Sequence, residues 1–149
     1  MHRYECGLPN IFLRNGYRVV ETPYGRGIAV ENVEGLHRAI ASTLVRERVH
    51  LTGPEVRFVR KYLEMTQSQL AALLGVEEQS VRRWEKLPRV PKPADRAVRL
   101  LFLDQTRGKI KTPTLASIVK QVESAGSDPA VVRFQFRPRA REKWMPLAA

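Results

Sequence analysis

From residue 33 to about residue 122 the apolar side chains recur at spacings of three and four, whereas shorter stretches at both ends alternate. The first rhythm marks amphipathic helices and the second marks half-buried strands. Val33, Leu36, Ile40 and Leu44, widened by Ala41 and Val45, predict a helix over 33–47 with His37 beside its apolar stripe. Upstream, 10–13 and 17–21 flank Asn15-Gly16, the dipeptide most favoured in two-residue hairpin turns because both positions tolerate positive φ. A hairpin is expected there. A third strand is expected over 27–31, after the turn residues Pro23, Tyr24, Gly25 and Arg26. So small a sheet is not stable alone and needs the rest of the chain or a second subunit.

The middle of the chain is punctuated most sharply. Thr52-Gly53-Pro54-Glu55 has the form of a capping box, in which Thr and Glu satisfy each other's backbone N–H. A helix then runs to about Glu64 with Val56, Phe58, Val59, Tyr62 and Leu63 inward. Thr66-Gln67-Ser68-Gln69 is a second capping box, opening a short helix with Leu70, Ala71, Leu73 and Leu74 inside. Gly75 closes it, because glycine enters the left-handed region without a Cβ penalty. A third helix is expected over about 77–86 with Val81 and Trp84 inward, Trp84 as core rather than as a base-stacking platform. Pro88, Pro91 and Pro93 make a stiff connector. Pro93 sits in the first turn of a fourth helix, which places Ala94, Ala97, Val98 and Leu101 on one face.

Beyond a polar basic link over 107–111, Thr112-Pro113 is expected to cap a helix with Leu115, Ile118, Val119 and Val122 inward, ended by Gly126. Val132, Phe134 and Phe136 alternate as in a strand, and 138–149 reads as poorly ordered apart from Trp144. There are no internal repeats.

Composition narrows the classes. The chain has 149 residues, with 26 Lys+Arg against 15 Asp+Glu, for a net charge of +11. Such an excess favours a polyanionic partner, nucleic acid first and an anionic membrane surface second. The charge is uneven: residues 1–50 carry +2, 51–106 carry +3 and 107–149 carry +6. The last segment is either a phosphate-touching tail or merely a soluble one. A single cysteine, Cys6, excludes an intramolecular disulfide framework and any multi-cysteine zinc site. That usage, the lack of a secretory pattern over 1–10 and the absence of a spanning apolar run point to the cytoplasm and away from a membrane protein.

Catalytic signatures are absent. Gly25-Arg26-Gly27 begins like a dinucleotide fingerprint, but Val30 stands where the third glycine belongs. His2, His37 and His50 are far apart, and no GxSxG, HExxH or Walker sequence occurs. The expectation is therefore of a non-enzyme without cofactor or metal.

The segment Thr66 to Glu85 combines a capped short helix, small Ala71 where helices cross, Gly75 at the turn, and Val81 with Trp84 locking the next helix. These are the parts of a helix-turn-helix. Through Leu63 to Gln67, Leu70-Ala71, Gly75-Val76, Gln79-Ser80-Val81 and Trp84-Glu85, the stretch 52–102 resembles the Cro/repressor, or XRE, class. More loosely, the order of hairpin, linking helix and LTGPEVRFVRKYLEMTQ resembles the C-terminal half of MqsA-type antitoxins. Their zinc ribbon with paired CxxC motifs is missing here, so zinc is not carried over.

The resemblance implies a mainly α fold. A lambda-repressor-like domain would occupy 51–106, a small β-sheet with a helix 1–50, and a basic extension 107–149. It implies that Gln67 binds a backbone phosphate and that Glu77, Glu78, Gln79 and Ser80 face the major groove, with Arg82 and Arg83 further along. Side-chain chemistry fits several of these roles: Gln pairs bidentately with adenine, Arg with guanine, and Glu accepts from cytosine. Glu77 and Glu78 either read bases or complement their own helix dipole, and Arg82 either contacts DNA or is a solvated helix residue. Lys86, Arg89 and Lys92 are candidate phosphate clamps.

The function expected is a sequence-specific, homodimeric regulator of transcription that binds double-stranded DNA, repressing its own or a neighbouring promoter. Either the N-terminal part or the helix 113–125 would pair the subunits. The alternative is an antitoxin that neutralises a protein toxin and autoregulates through the same domain, and a third reading is nonspecific polyanion binding through the C-terminal segment.

Overall fold

The computed structural model describes residues 1–108, 113–138 and 143–147. Among these residues the fold is mixed, with six helices and two small sheets. It divides into two compact units, one formed by residues 1–40 with 129–149 and the other by 41–128. The three consecutive parts read from the sequence are thus replaced by a discontinuous division, because the two ends of the chain share one sheet.

In the first unit, β1 (His2–Arg3), β2 (Ile11–Leu13), β5 (Val132–Arg137) and β6 (Lys143–Pro146) form a sheet in the order β1-β2-β5-β6. The central pair is parallel, Ile11 opposite Val132 and Leu13 opposite Phe134, and both flanking pairs are antiparallel. Period-two alternation buries Ile11, Leu13, Phe134 and Trp144 on one face. The expectation of poor order over 138–149 is corrected for residues 143–146, where β6 adds an edge strand and the Trp144 indole donates to the Glu31 carbonyl at 2.7 Å, while 139–142 and 148–149 lie outside the described residues.

The hairpin expected at Asn15-Gly16 is also corrected. β2 does not pair with the strand that follows it. Asn15 instead clasps the Phe136 backbone, accepting from its N–H at 2.6 Å and donating to its carbonyl at 3.2 Å. Gly16 has φ +74°, and a Cβ there would lie 2.6 Å from both Phe136 and Trp144. The turn residues are used to pass between sheets. The true hairpin joins β3 (Tyr17–Thr22) to β4 (Gly25–Val30) through Pro23-Tyr24.

Helix α1 (Val33–Glu47) matches its predicted span, and the boundary between the units falls within it. Leu36, Ile40, Ala41, Leu44 and Val45 are buried, whereas Val33 is exposed. In the second unit follow α2 (Gly53–Tyr62), α3 (Gln67–Leu74), α4 (Glu78–Trp84), α5 (Lys92–Gln105) and α6 (Leu115–Ala125). Thr114, not the expected Thr112-Pro113, caps α6, its hydroxyl accepting from the Ser117 N–H at 3.2 Å. Thr112 itself lies outside the described residues.

The core of this unit contains charge. Arg99 on α5 is fully buried and donates to the Val45 and Arg48 carbonyls at 3.0 and 2.6 Å, satisfying the end of α1. Its Nε donates to Asp95 Oδ1 at 2.7 Å, while Asp95 Oδ2 accepts from the Leu51 N–H at 2.9 Å. Burial alone would raise the Asp95 carboxyl, but the hydrogen bonds and the Arg99 charge outweigh it and hold the group below its ordinary value. Arg48 meets buried Glu55 at 2.8 Å. There desolvation prevails over that charge, and the Glu55 carboxyl lies above its ordinary value.

Candidate nucleic-acid interface

The candidate surface is built by α2, α3 and α4. Both capping boxes form as the sequence predicts. Thr66 accepts from the Gln69 N–H at 3.0 Å and the Gln69 side chain accepts from the Thr66 N–H at 2.9 Å, with the same exchange between Thr52 and Glu55. Gly75 ends α3 at φ +70°, ψ 33°, and its N–H returns to the preceding turn. A Cβ there would meet nothing, so the requirement for glycine is conformational rather than steric.

Leu70, Ala71 and Val81 are buried where α3 and α4 meet, with Leu74, Val76, Trp84 and Leu101 packed around them. Leu73 departs from expectation: it is more than half exposed, since α3 turns only the Leu70, Ala71 and Leu74 side inward.

Behind this crossing, α4 is fixed to α2 at two places. At Gly53 a Cβ would lie 2.5 Å from the Trp84 carbonyl oxygen and 2.6 Å from Glu85, so the start of α2 touches the end of α4 backbone to backbone. The Gly53 N–H donates to the Leu87 carbonyl at 2.9 Å. Arg60 grips Glu85 with two hydrogen bonds, of 2.7 and 2.9 Å, and sends a third to the Met65 carbonyl at 2.9 Å. Arg60 is not among the residues expected from the sequence, and Glu85 enters there only as part of the motif, without a role of its own. Arg60 stands four residues after Val56 and Glu85 four after Val81, but a lone charge at such a spacing does not announce its partner on another helix.

The network continues to the surface. Gln67 Nε2 donates to Glu85 at 3.1 Å, and Gln67 Oε1 accepts from Arg82 Nε at 3.3 Å. Arg82 Nη2 pairs with Glu78 at 3.0 Å. Together with Arg57, Arg60, Thr66, Glu85 and Lys86, these three side chains line an open concavity of about 480 Å³. The structure thus brings together Gln67, Glu78, Arg82 and Lys86 of the expected residues. Arg57, one turn before Arg60 on α2, joins them without having been expected.

The others lie outside the concavity. Glu77 precedes α4 at its N-cap without a side-chain cap bond. Gln79 and Arg83, four residues apart on α4, are exposed and share a face, with half-buried Ser80 beside them. Neither Gln79 nor Arg83 makes a side-chain hydrogen bond to a described residue. Arg89 lies in the connector and Lys92 begins α5, both exposed. The connector is pinned by buried Val90, whose N–H donates to the Leu51 carbonyl at 3.1 Å.

Among the described residues no group of three or more His, Cys, Asp or Glu side chains could hold a metal ion, and no helix is long and apolar enough to cross a membrane. No family model, curated protein or solved structure matches this chain.

Proposed function

We propose that the chain is a sequence-specific DNA-binding regulator of transcription, and that α3, the Gly75 turn and α4 are its helix-turn-helix. The observation that carries this reading is the pose of α4. Its Val81 and Trp84 side is locked inward, its C-terminal end is clamped by Arg60 and Gly53, and its outer face presents Gln79 and Arg83 without protein partners. A short helix held rigidly from behind, with long hydrogen-bonding side chains outward, suits entry into a major groove.

Roles follow from chemistry. Arg83 and Gln79 read base edges, each bidentate pair discriminating by about 1–3 kcal/mol. Gln67 uses one amide N–H on Glu85 and keeps the second for a phosphate oxygen. Lys86 and Arg57, at the same concavity, supply positive charge to the backbone, with Arg89 and Lys92 further along. The Glu78–Arg82 pair cancels the charge of an acid that would otherwise repel phosphate.

Because one short helix recognises few base pairs, the protein binds as a homodimer to a site of twofold symmetry. Repression follows if that site overlaps a promoter. Gel-shift titration tests the reading: Arg83→Ala should weaken binding to the selected site more than to random duplex, and equal loss on both would remove its base-reading role.

A further inference from the structure

Three of the C-terminal basic residues, Arg133, Arg137 and Lys143, are displayed on a sheet. On the face of the four-stranded sheet opposite its buried side, Arg3, Phe12 and Arg133 stand in one row, since Arg3 is registered with Phe12 and Phe12 with Arg133. Four residues along β5, Arg137 stands directly opposite Lys143. All four cations are exposed and none forms an ion pair with a described carboxylate, while the Gln135 amide oxygen accepts from Arg137 at 3.1 and 3.2 Å. The two rows are about 13 Å apart at the rise of an extended strand. That length corresponds to about four base-pair steps of rise along a duplex axis.

Like charges placed directly opposite in a sheet destabilise it. The Arg137–Lys143 pair is therefore a cost in the free protein that an anion would remove. We propose that this face is a second contact surface for the sugar–phosphate backbone of duplex DNA, independent of sequence. Phe12 is the one aromatic side chain among the described residues of the face. Single-strand binders stack successive bases on several rings, so this face offers charge rather than a stacking platform. It goes beyond the base-reading role of α4, lies in the other unit, and accounts for charge that the helical module lacks.

The test uses the full chain and a short duplex of random sequence, titrated across salt concentrations. Arg133→Gln/Arg137→Gln/Lys143→Gln should lower the slope of log affinity against log salt by about 2–3, and affinity at ~0.1 M salt by about tenfold or more. The loss should be equal on selected and random sequences. Arg133→Lys/Arg137→Lys should retain the slope. If the triple variant does not fold, Arg137→Gln alone serves, because it relieves the like-charge pair: its stability should match or exceed wild type and its slope fall by about 0.9. An unchanged slope in a folded variant overturns the inference. So does tighter binding to single-stranded DNA, polyglutamate or phosphatidylserine vesicles than to the duplex. If the wild type shows no sequence preference but the triple variant still loses slope, this inference stands and the base-reading proposal falls.

Discussion

Arg60 on α2 and Glu85 at the end of α4 form a two-pronged ion pair, 2.7 and 2.9 Å, with side chains 9% and 5% exposed. Every remaining polar contact of the cluster grows outward from it, through Gln67 to Arg82 and Glu78. Removing one partner leaves the other buried without a counter-charge, which costs about 3–5 kcal/mol. Arg60→Ala and Glu85→Ala are each expected to lower urea-unfolding stability by that amount. Because the pair acts as a unit, the double variant should lose much less than the sum of the two.

Gly53 and Gly75 are each required for a different reason, and their substitutions should fail differently. Gly53→Ala pushes a methyl group into the Trp84–Glu85 backbone, which cannot swing aside, and should cost about 1–3 kcal/mol. Gly75→Ala meets no atom but forces a residue with a side chain into the left-handed region, costing about 1–2 kcal/mol. Gly75→Asn should recover part of that loss, and Gly53→Asn none. Thermal unfolding of the four variants checks the contrast.

Stability should respond to acid in two opposed limbs. Asp95 is held below its ordinary value of 3.8, so its contribution is complete above that pH and is lost as pH falls through the folded value. Glu55 is raised above its ordinary 4.5, so its contribution is complete below that pH and is lost as pH rises through the folded value. Unfolding free energy measured against pH should lose its rising acid limb in Asp95→Asn and its falling limb above 4.5 in Glu55→Gln. Above the acid limb Asp95→Asn should be destabilised by about 3–5 kcal/mol, because Arg99 remains buried, and the deficit should shrink as the wild type loses the carboxylate.

The helices were legible because their signals are local. Thr52 with Glu55, Thr66 with Gln69, and Gly75 each act within one turn of chain, and all appear in the structure as read. The sheet was not legible, because its central pairing joins Ile11–Leu13 to Val132–Phe134, strands at opposite ends of the sequence. Asn15-Gly16 misled for the same reason: Asn15 bonds to Phe136, a partner no neighbouring residue announces. Of the candidate interface, the outward residues of α4 followed from the resemblance of the Thr66–Glu85 motif. The clamp behind them did not, since Arg60 and Glu85 look like ordinary surface charges until α2 and α4 are packed together.

The central claim is that the outer face of α4 reads base pairs. Selection of bound fragments from a random duplex pool by the full-length protein measures this most directly. The account predicts an enriched motif with twofold symmetry that is lost when Gln79 and Arg83 are both changed to Ala. A pool that stays random after repeated rounds, or an enriched motif that survives that double change, would contradict it.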